Sequence, residues 1–180
     1  MRIVAGDKGG RRISAPRGAV TRPTSDRVRE ALFSILGNVG GAEVLDAFAG
    51  SGALGLEALS RGAATATFWE TSTAALRALR GNIEALGYGD RTTVLRRDAR
   101  RQMAADAAAG CRYGLILLDP PYRMLPALQR HFALHIPQLL APGGLAVVES
   151  PGAAPAPELP LPVHTSRRYG DSRITVFADG

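Results

Sequence analysis

From Gly41 to Ser150 the sequence alternates between segments with strand character and segments with helix character. AEVLDAF (42–48) reads as a strand and SGALGLEALSRG (51–62) as a helix. TATFWE (65–70) is followed by the helical TSTAALRALRGNIEALG (71–87), and TTVLRR (92–97) by ARRQMAADAAAG (99–110). YGLILLDP (113–120) is a strand, LPALQRHFALHIPQLL (125–140) is helical in part with Pro137 expected to interrupt it, and GGLAVVES (143–150) is a strand again. Strands separated by helices cannot pair as hairpins. They require crossovers, which predicts a parallel sheet covered on both faces. PGAAPAPELPLP (151–162) is a proline-rich connector where another helix would be expected. The last two strands, VHTSRRYG (163–170) and SRITVFA (172–178), meet at Gly170-Asp171 as an antiparallel hairpin.

The segment before Gly41 differs. Two short strands, Arg2 to Ala5 and Arg12 to Ala15, flank the turn signal Gly9-Gly10. A helix from about Ser25 to Gly37 then carries one apolar stripe, Val28, Ala31, Leu32, Ile35 and Leu36, with Pro23 and Thr24 before its start. The division expected is a basic hairpin extension over 1–22 and one larger domain over 23–180. Residues 1–30 hold eight basic side chains against three acids, nearly all of the net +6 of the 180-residue chain. Arg2, Lys8, Arg11 and Arg12 are the candidates for gripping nucleic-acid phosphates, since each neutralised phosphate releases a counterion. A basic solvated tail is the plainer account of the same charge. A single cysteine, Cys111, excludes a disulfide framework or a cysteine-rich metal site within one chain. With no apolar run near membrane length and no apolar core to the N-terminus, a cytoplasmic protein is expected.

Gly50-Ser51-Gly52-Ala53-Leu54-Gly55 fits G-x-G-x-x-G between a strand and a helix, and Glu70 lies 20 positions after Gly50 at the end of the next strand. This is a dinucleotide-type fingerprint: glycines admit a ligand close to the backbone, and the acid accepts ribose hydroxyls. NAD and S-adenosylmethionine share the adenosine this arrangement binds. Asp46 favours the second, because a carboxylate there can meet the amino group of a methionine moiety but would repel a pyrophosphate. No residues remain for the separate substrate domain of a dehydrogenase. Asp98, ending the third strand, can accept from the adenine amino group. Asp46, Glu70, Asp98 and Asp119 all stand at carboxyl ends of strands, where open parallel sheets bind ligands. Each alone could instead cap a helix.

DAFAGSG, FWE, RRDA and DPPY, in that order on alternating strands, resemble the class I methyltransferases of exocyclic base amines. RPTSDRVREALFSIL and RRYGDSRITVF extend the likeness to both ends, and the whole set resembles the bacterial RsmD family, the 16S ribosomal RNA guanine-N2 methyltransferases. The resemblance implies an α/β Rossmann-like class I methyltransferase fold. Its sheet would be seven-stranded and mostly parallel, with helices on both faces, a C-terminal antiparallel hairpin and a small N-terminal β-hairpin extension. It implies S-adenosylmethionine as cofactor and a guanine of 16S rRNA as target, in the small ribosomal subunit or an assembly intermediate. The expected cofactor residues are Asp46, Phe48, Gly50, Gly52, Glu70, Asp98 and Ala99, with Thr24, Ser25 and Arg27 covering the methionine end; helix capping is the competing account of these last three.

An exocyclic amine is a poor nucleophile because its lone pair is delocalised into the ring. Two acceptors facing its two N–H groups favour a tetrahedral nitrogen. The Asp119 carboxylate and the Pro120 carbonyl can serve, held in place by the adjoining prolines, and Tyr122 can stack on the base. Such a base has to be unpaired or flipped out. Tyr169-Gly170 can shape the substrate side. His131 and His135 have helical i, i+4 spacing, but H-E-x-x-H lacks its glutamate here, so no metal is expected. The competing functions are a DNA adenine-N6 methyltransferase, a non-catalytic nucleic-acid-binding protein and a nicotinamide oxidoreductase. A monomer without membrane contact is expected.

Overall fold

In the computed structural model, which describes residues 1–16 and 25–179, the alternating segments build one seven-stranded sheet. Five strands run parallel: β1 (Glu43–Asp46), β2 (Thr65–Trp69), β3 (Thr92–Leu95), β4 (Tyr113–Leu118) and β5 (Leu140–Pro151). β6 (Val163–Tyr169) and β7 (Ser172–Ala178) form the terminal hairpin, with β7 antiparallel to β5, giving the order β3-β2-β1-β4-β5-β7-β6. The helices are α1 (Asp26–Leu36), α2 (Ala53–Ser60), α3 (Thr73–Leu86), α4 (Ala99–Ala108) and α5 (Leu125–Leu139).

Side chains of successive strand residues point to opposite faces, and β4 shows the result. Leu115 and Leu117 join a core with α1, α2 and α3; Ile116 and Leu118 join a second with α4 and α5. Burying each such aliphatic side chain stabilises the fold by roughly 1.5–3 kcal/mol. The proline-rich connector forms no helix, yet it covers the second face: Leu159 and Leu161 pack on that core, and the Gln129 side-chain amide donates to the Glu158 carbonyl. Pro137 does not interrupt α5. It lies in the last turn, where its missing N–H forfeits a single helical bond while Ile136 and Leu139 stay buried. β5 starts at Leu140, earlier than the glycine pair that was expected to open it, and the register with β4 shifts between Tyr113 and Leu115.

The N-terminal segment folds back on itself, but through one antiparallel bridge, Arg2↔Arg12, instead of two strands. Ile3, Gly9, Gly10, Arg11 and Ile13 donate to carbonyls within the segment, and other backbone groups are satisfied by residues far along the chain. The Glu57 carboxylate accepts from the amides of Val4 (2.7 Å) and Ala5 (3.0 Å), and the Ser60 hydroxyl accepts from the Lys8 amide at 3.0 Å. Gly6 passes so close to α2 that a Cβ there would overlap the Ser60 carbonyl. Ile3 and Ile13 are buried in the first core. Arg29, also buried, donates to the Arg2 carbonyl and to Asp26 (2.8 Å), and its Nε lies 3.5 Å from Glu57. Among the described residues, no helix is long and apolar enough to cross a membrane.

Candidate active site

A cleft of about 1200 Å³ opens along the carboxyl ends of the parallel strands. Most of the residues singled out in the sequence line it: Asp46, Phe48, Gly50, Glu70, Asp98 and Ala99 on one stretch, Asp119, Pro120 and Tyr122 on the other, with Arg27, Tyr169 and Gly170 above. Gly52 does not line it. Gly52 caps α2 in the left-handed region (φ 81°), where a Cβ would meet Leu79, so its part is to turn and pack the chain. Thr24 lies outside the described residues. Arg2, Lys8, Arg11 and Arg12 do not line the cleft.

Asp46 ends β1 and is 1 % exposed. Its Oδ2 accepts from the Gly55 amide at 3.1 Å, whereas its Oδ1 is buried with no hydrogen-bond partner among the described residues. Burial pushes its pKa up to about 7; the Gly55 amide and, more weakly, the nearby Phe48 amide oppose the rise, and the Glu70 charge adds to it. An acceptor buried without a donor is costly, and one lining a cleft is fitted to a donor supplied by a ligand.

Glu70 follows β2. Its Oε2 accepts from the Gly50 amide at 2.8 Å, which pins the glycine turn to the adjacent strand end. Its Oε1 accepts from the amides of Thr71 and Ser72, each at 2.7 Å. A carboxylate has about four acceptor sites, so one remains for a ligand hydroxyl. Asp98 caps α4, accepting from the amides of Arg100 (3.1 Å) and Arg101 (3.4 Å). The Arg100 guanidinium holds its carboxyl below the ordinary value. Capping and cleft lining thus coexist in Asp98. Phe48 meets Phe132 edge-on, ring centroids 6.2 Å apart.

Asp119 follows Leu118, the register partner of Val148, so it stands level with Glu149 on β5. The two prolines lead into a 3-10 turn, Tyr122–Met124, closed by the Met124 amide donating to the Pro121 carbonyl at 2.8 Å. That bond uses the carbonyl of Pro121, not that of Pro120. Tyr122 is 39 % exposed, and its hydroxyl is fastened at the far end. The phenol lies 2.9 Å from Ser172 Oγ and donates to Glu149 Oε1 at 3.3 Å, while Ser172 donates to the same Glu149 oxygen at 2.7 Å. Partial burial is the main cause of the raised Tyr122 pKa, opposed by Ser172.

Sequence reasoning missed Glu149, Ser172 and Asn82. Glu149 reads as the end of a strand and lies in no motif; Ser172 lies within RRYGDSRITVF, where nothing local assigns it a role. Asn82 of α3 pairs with both backbone groups of Ser14 (2.8 and 3.0 Å) and donates to the Ser51 carbonyl at 2.9 Å, joining the N-terminal segment to the glycine turn.

A protein-family profile described as "Conserved hypothetical protein 95" matches residues 1–178. The putative rRNA methyltransferase YlbH of Bacillus subtilis is 33 % identical over 180 residues, covering 98 % of each chain. The ribosomal RNA small subunit methyltransferase D of Escherichia coli is 43 % identical over 124 residues, which span 68 % of this chain and 61 % of that protein. A solved structure described as a putative methyltransferase yhhF from Escherichia coli superposes with a TM-score of 0.83 at 34 % identity, over 99 % of this chain and 97 % of the other. On its strand order, on its acid-lined cleft and on these matches, the chain belongs to the Conserved hypothetical protein 95 family, in which the ribosomal RNA small subunit methyltransferase D proteins stand.

Proposed function

We propose that this protein is an S-adenosylmethionine-dependent rRNA methyltransferase that acts on the exocyclic N2 amine of a guanine in the 16S rRNA of the small ribosomal subunit. The observation that carries the reading is the cleft itself. One end presents the unpartnered buried Asp46 oxygen beside the Gly50 turn and Glu70; the other presents Asp119, Pro120 and Tyr122. The names of the relatives support rRNA as the substrate.

The residues fit the cofactor. Asp46 Oδ1 would accept from its ammonium, the last acceptor site of Glu70 from a ribose hydroxyl, and Asp98 and Ala99 would meet the adenine beside Phe48. When bound, the sulfonium supplies an already activated methyl group. The work left to the protein is orientation and electrostatics, without a covalent intermediate. Asp119 and the Pro120 carbonyl would hold the two N–H groups and turn the nitrogen lone pair toward the methyl. Tyr122 would stack on the ring, and the released proton can leave to Asp119 or water. Arg2, Lys8, Arg11 and Arg12 would hold RNA away from the cleft.

Small subunits from a strain lacking the enzyme, incubated with labelled S-adenosylmethionine and digested to nucleosides, test the reading. Label in N2-methylguanosine is the expected result, and label in any other nucleoside overturns the assigned target. Asp119→Ala is expected to lower transfer by at least about a hundredfold while cofactor affinity, read by calorimetry, persists. Loss of cofactor affinity instead would remove Asp119 from the amine clamp.

A further inference from the structure

The interior of the cleft is acidic, and its edge is mostly basic: one exposed carboxylate, Asp171, stands there among four arginines. Arg27 from α1, Arg97 after β3, Arg123 from the 3-10 turn and Arg168 from β6 all line it, and all four are exposed. The carboxylates below them suit a cationic ligand but repel phosphate. A polyanionic strand can therefore offer a base to Tyr122 only if its own phosphates remain at the edge, against positive partners.

Two of the arginines connect to the Tyr122 end of the cleft. Arg123 is the neighbour of Tyr122 in the chain. Arg168 reaches it across the hairpin: its Nε donates to the Gly170 carbonyl at 2.8 Å, and Ser172, two residues on, meets the Tyr122 phenol at 2.9 Å. That backbone bond fixes the Arg168 guanidinium and engages one of its five N–H donors, leaving a planar fork suited to phosphate. Arg97 stands beside Asp98 at the other end of the cleft and is not part of the pair. The N-terminal cations are placed differently: Arg2 faces Asp26 at 3.5 Å, and Lys8 faces Asp7 at 3.7 Å over the Tyr88 ring.

We infer that Arg123 and Arg168 form a collar that binds the phosphates on either side of the target nucleotide, so that the substrate is an RNA strand with one extruded base and its backbone held outside the cleft. This rests on the proposed reading of the site and adds a second RNA contact, separate from the N-terminal segment. The strand needs no sequence-specific contact at the collar, because phosphate contacts position and do not specify.

Fluorescence anisotropy with a labelled single-stranded RNA oligonucleotide over a series of KCl concentrations tests it without methyl transfer. R123Q/R168Q is expected to bind roughly tenfold more weakly or worse, as two charge-assisted contacts are lost. The slope of log affinity against log salt should flatten by about 1.4, the equivalent of two single-strand phosphates. R123K/R168K should keep most of the slope, and retained cofactor binding would show that both variants are folded. An unchanged affinity and slope in R123Q/R168Q overturns the collar, as does a wild-type protein with no salt-dependent RNA binding. If the collar variants lose RNA binding but the wild type transfers no methyl to rRNA, the collar stands and the proposed reaction falls. Transfer to rRNA with R123Q/R168Q binding unchanged means the reverse.

Discussion

The proposed cofactor end of the cleft turns on one side chain, Asp46. Its carboxyl is buried, one oxygen is satisfied by Gly55 and the other has no hydrogen-bond partner among the described residues, and its pKa is pushed up to about 7. A raised carboxyl pKa means that the folded protein holds a proton the unfolded chain has lost. The cofactor-free protein therefore loses stability as pH rises from about 4 to about 7, by at most about 4 kcal/mol for that gap. Asp46→Asn is expected to raise the melting temperature of the cofactor-free protein at pH 8 and to change it little at pH 4. Cofactor binding runs the other way, because an ammonium needs the carboxylate. Calorimetric titrations should show affinity falling about tenfold for each pH unit below the Asp46 pKa and flat above it. A wild-type affinity that does not change between pH 5.5 and 8 would mean that Asp46 is not the ammonium's partner. The motif spacing placed this residue correctly at a strand end. Its burial was not legible, because that depends on Gly55 and Phe68 of other elements closing over it.

At the scale of elements, the strands and helices were largely legible because each carries its own periodicity, and β4 and α3 end within a residue or two of their expected bounds. The N-terminal segment was not, and the reason is physical. Two strands were expected from local pattern, but several of its backbone amides are satisfied by Glu57, Ser60 and Asn82, more than fifty residues away. Nothing in the local sequence announces an acceptor on another helix. Glu57 is the centre of that attachment: fully buried, it takes the amides of Val4 and Ala5, faces Arg29 and accepts from Arg61 at 2.7 Å. Removing it leaves the Arg29 charge buried, with Asp26 the one remaining carboxylate paired with it among the described residues. Glu57→Ala is therefore expected to destabilise the fold by about 3–5 kcal/mol, measured by urea unfolding. Amide exchange should accelerate first at Ile3, Val4, Ala5 and Gly10. Equal protection of these amides in the variant would show that the segment is held without Glu57, by Ile3, Ile13, Ser60 and Asn82.

Across the whole molecule, the site depends on one reversal of direction. The parallel strands deliver Asp46, Trp69, Leu118 and Glu149 to the same edge of the sheet, each at or near its carboxyl end. β7 runs the other way, with Pro151 opposite Ser172, so its first residue arrives at that edge beside the last residues of β5. The terminal hairpin thus supplies the hydroxyl that, with Glu149, holds the Tyr122 phenol. DPPY holds Tyr122 and RRYGDSRITVF holds Ser172, but their contact is made only when the strands are in register. On the proposed reading, Ser172 and Glu149 are positioning residues for Tyr122, and the ring would stack on a base in a fixed plane only while they hold it. Tyr122→Phe keeps the ring and removes the tether; Ser172→Ala keeps the phenol and removes its nearer partner. Each is expected to lower kcat about five- to tenfold, the worth of one partly buried hydrogen bond, with cofactor affinity unchanged. The double variant should be little worse than either single one, because the two changes break the same tether. Multiplicative losses, or a fall in cofactor affinity, would mean that the hairpin supports the cleft as a whole and not the orientation of Tyr122.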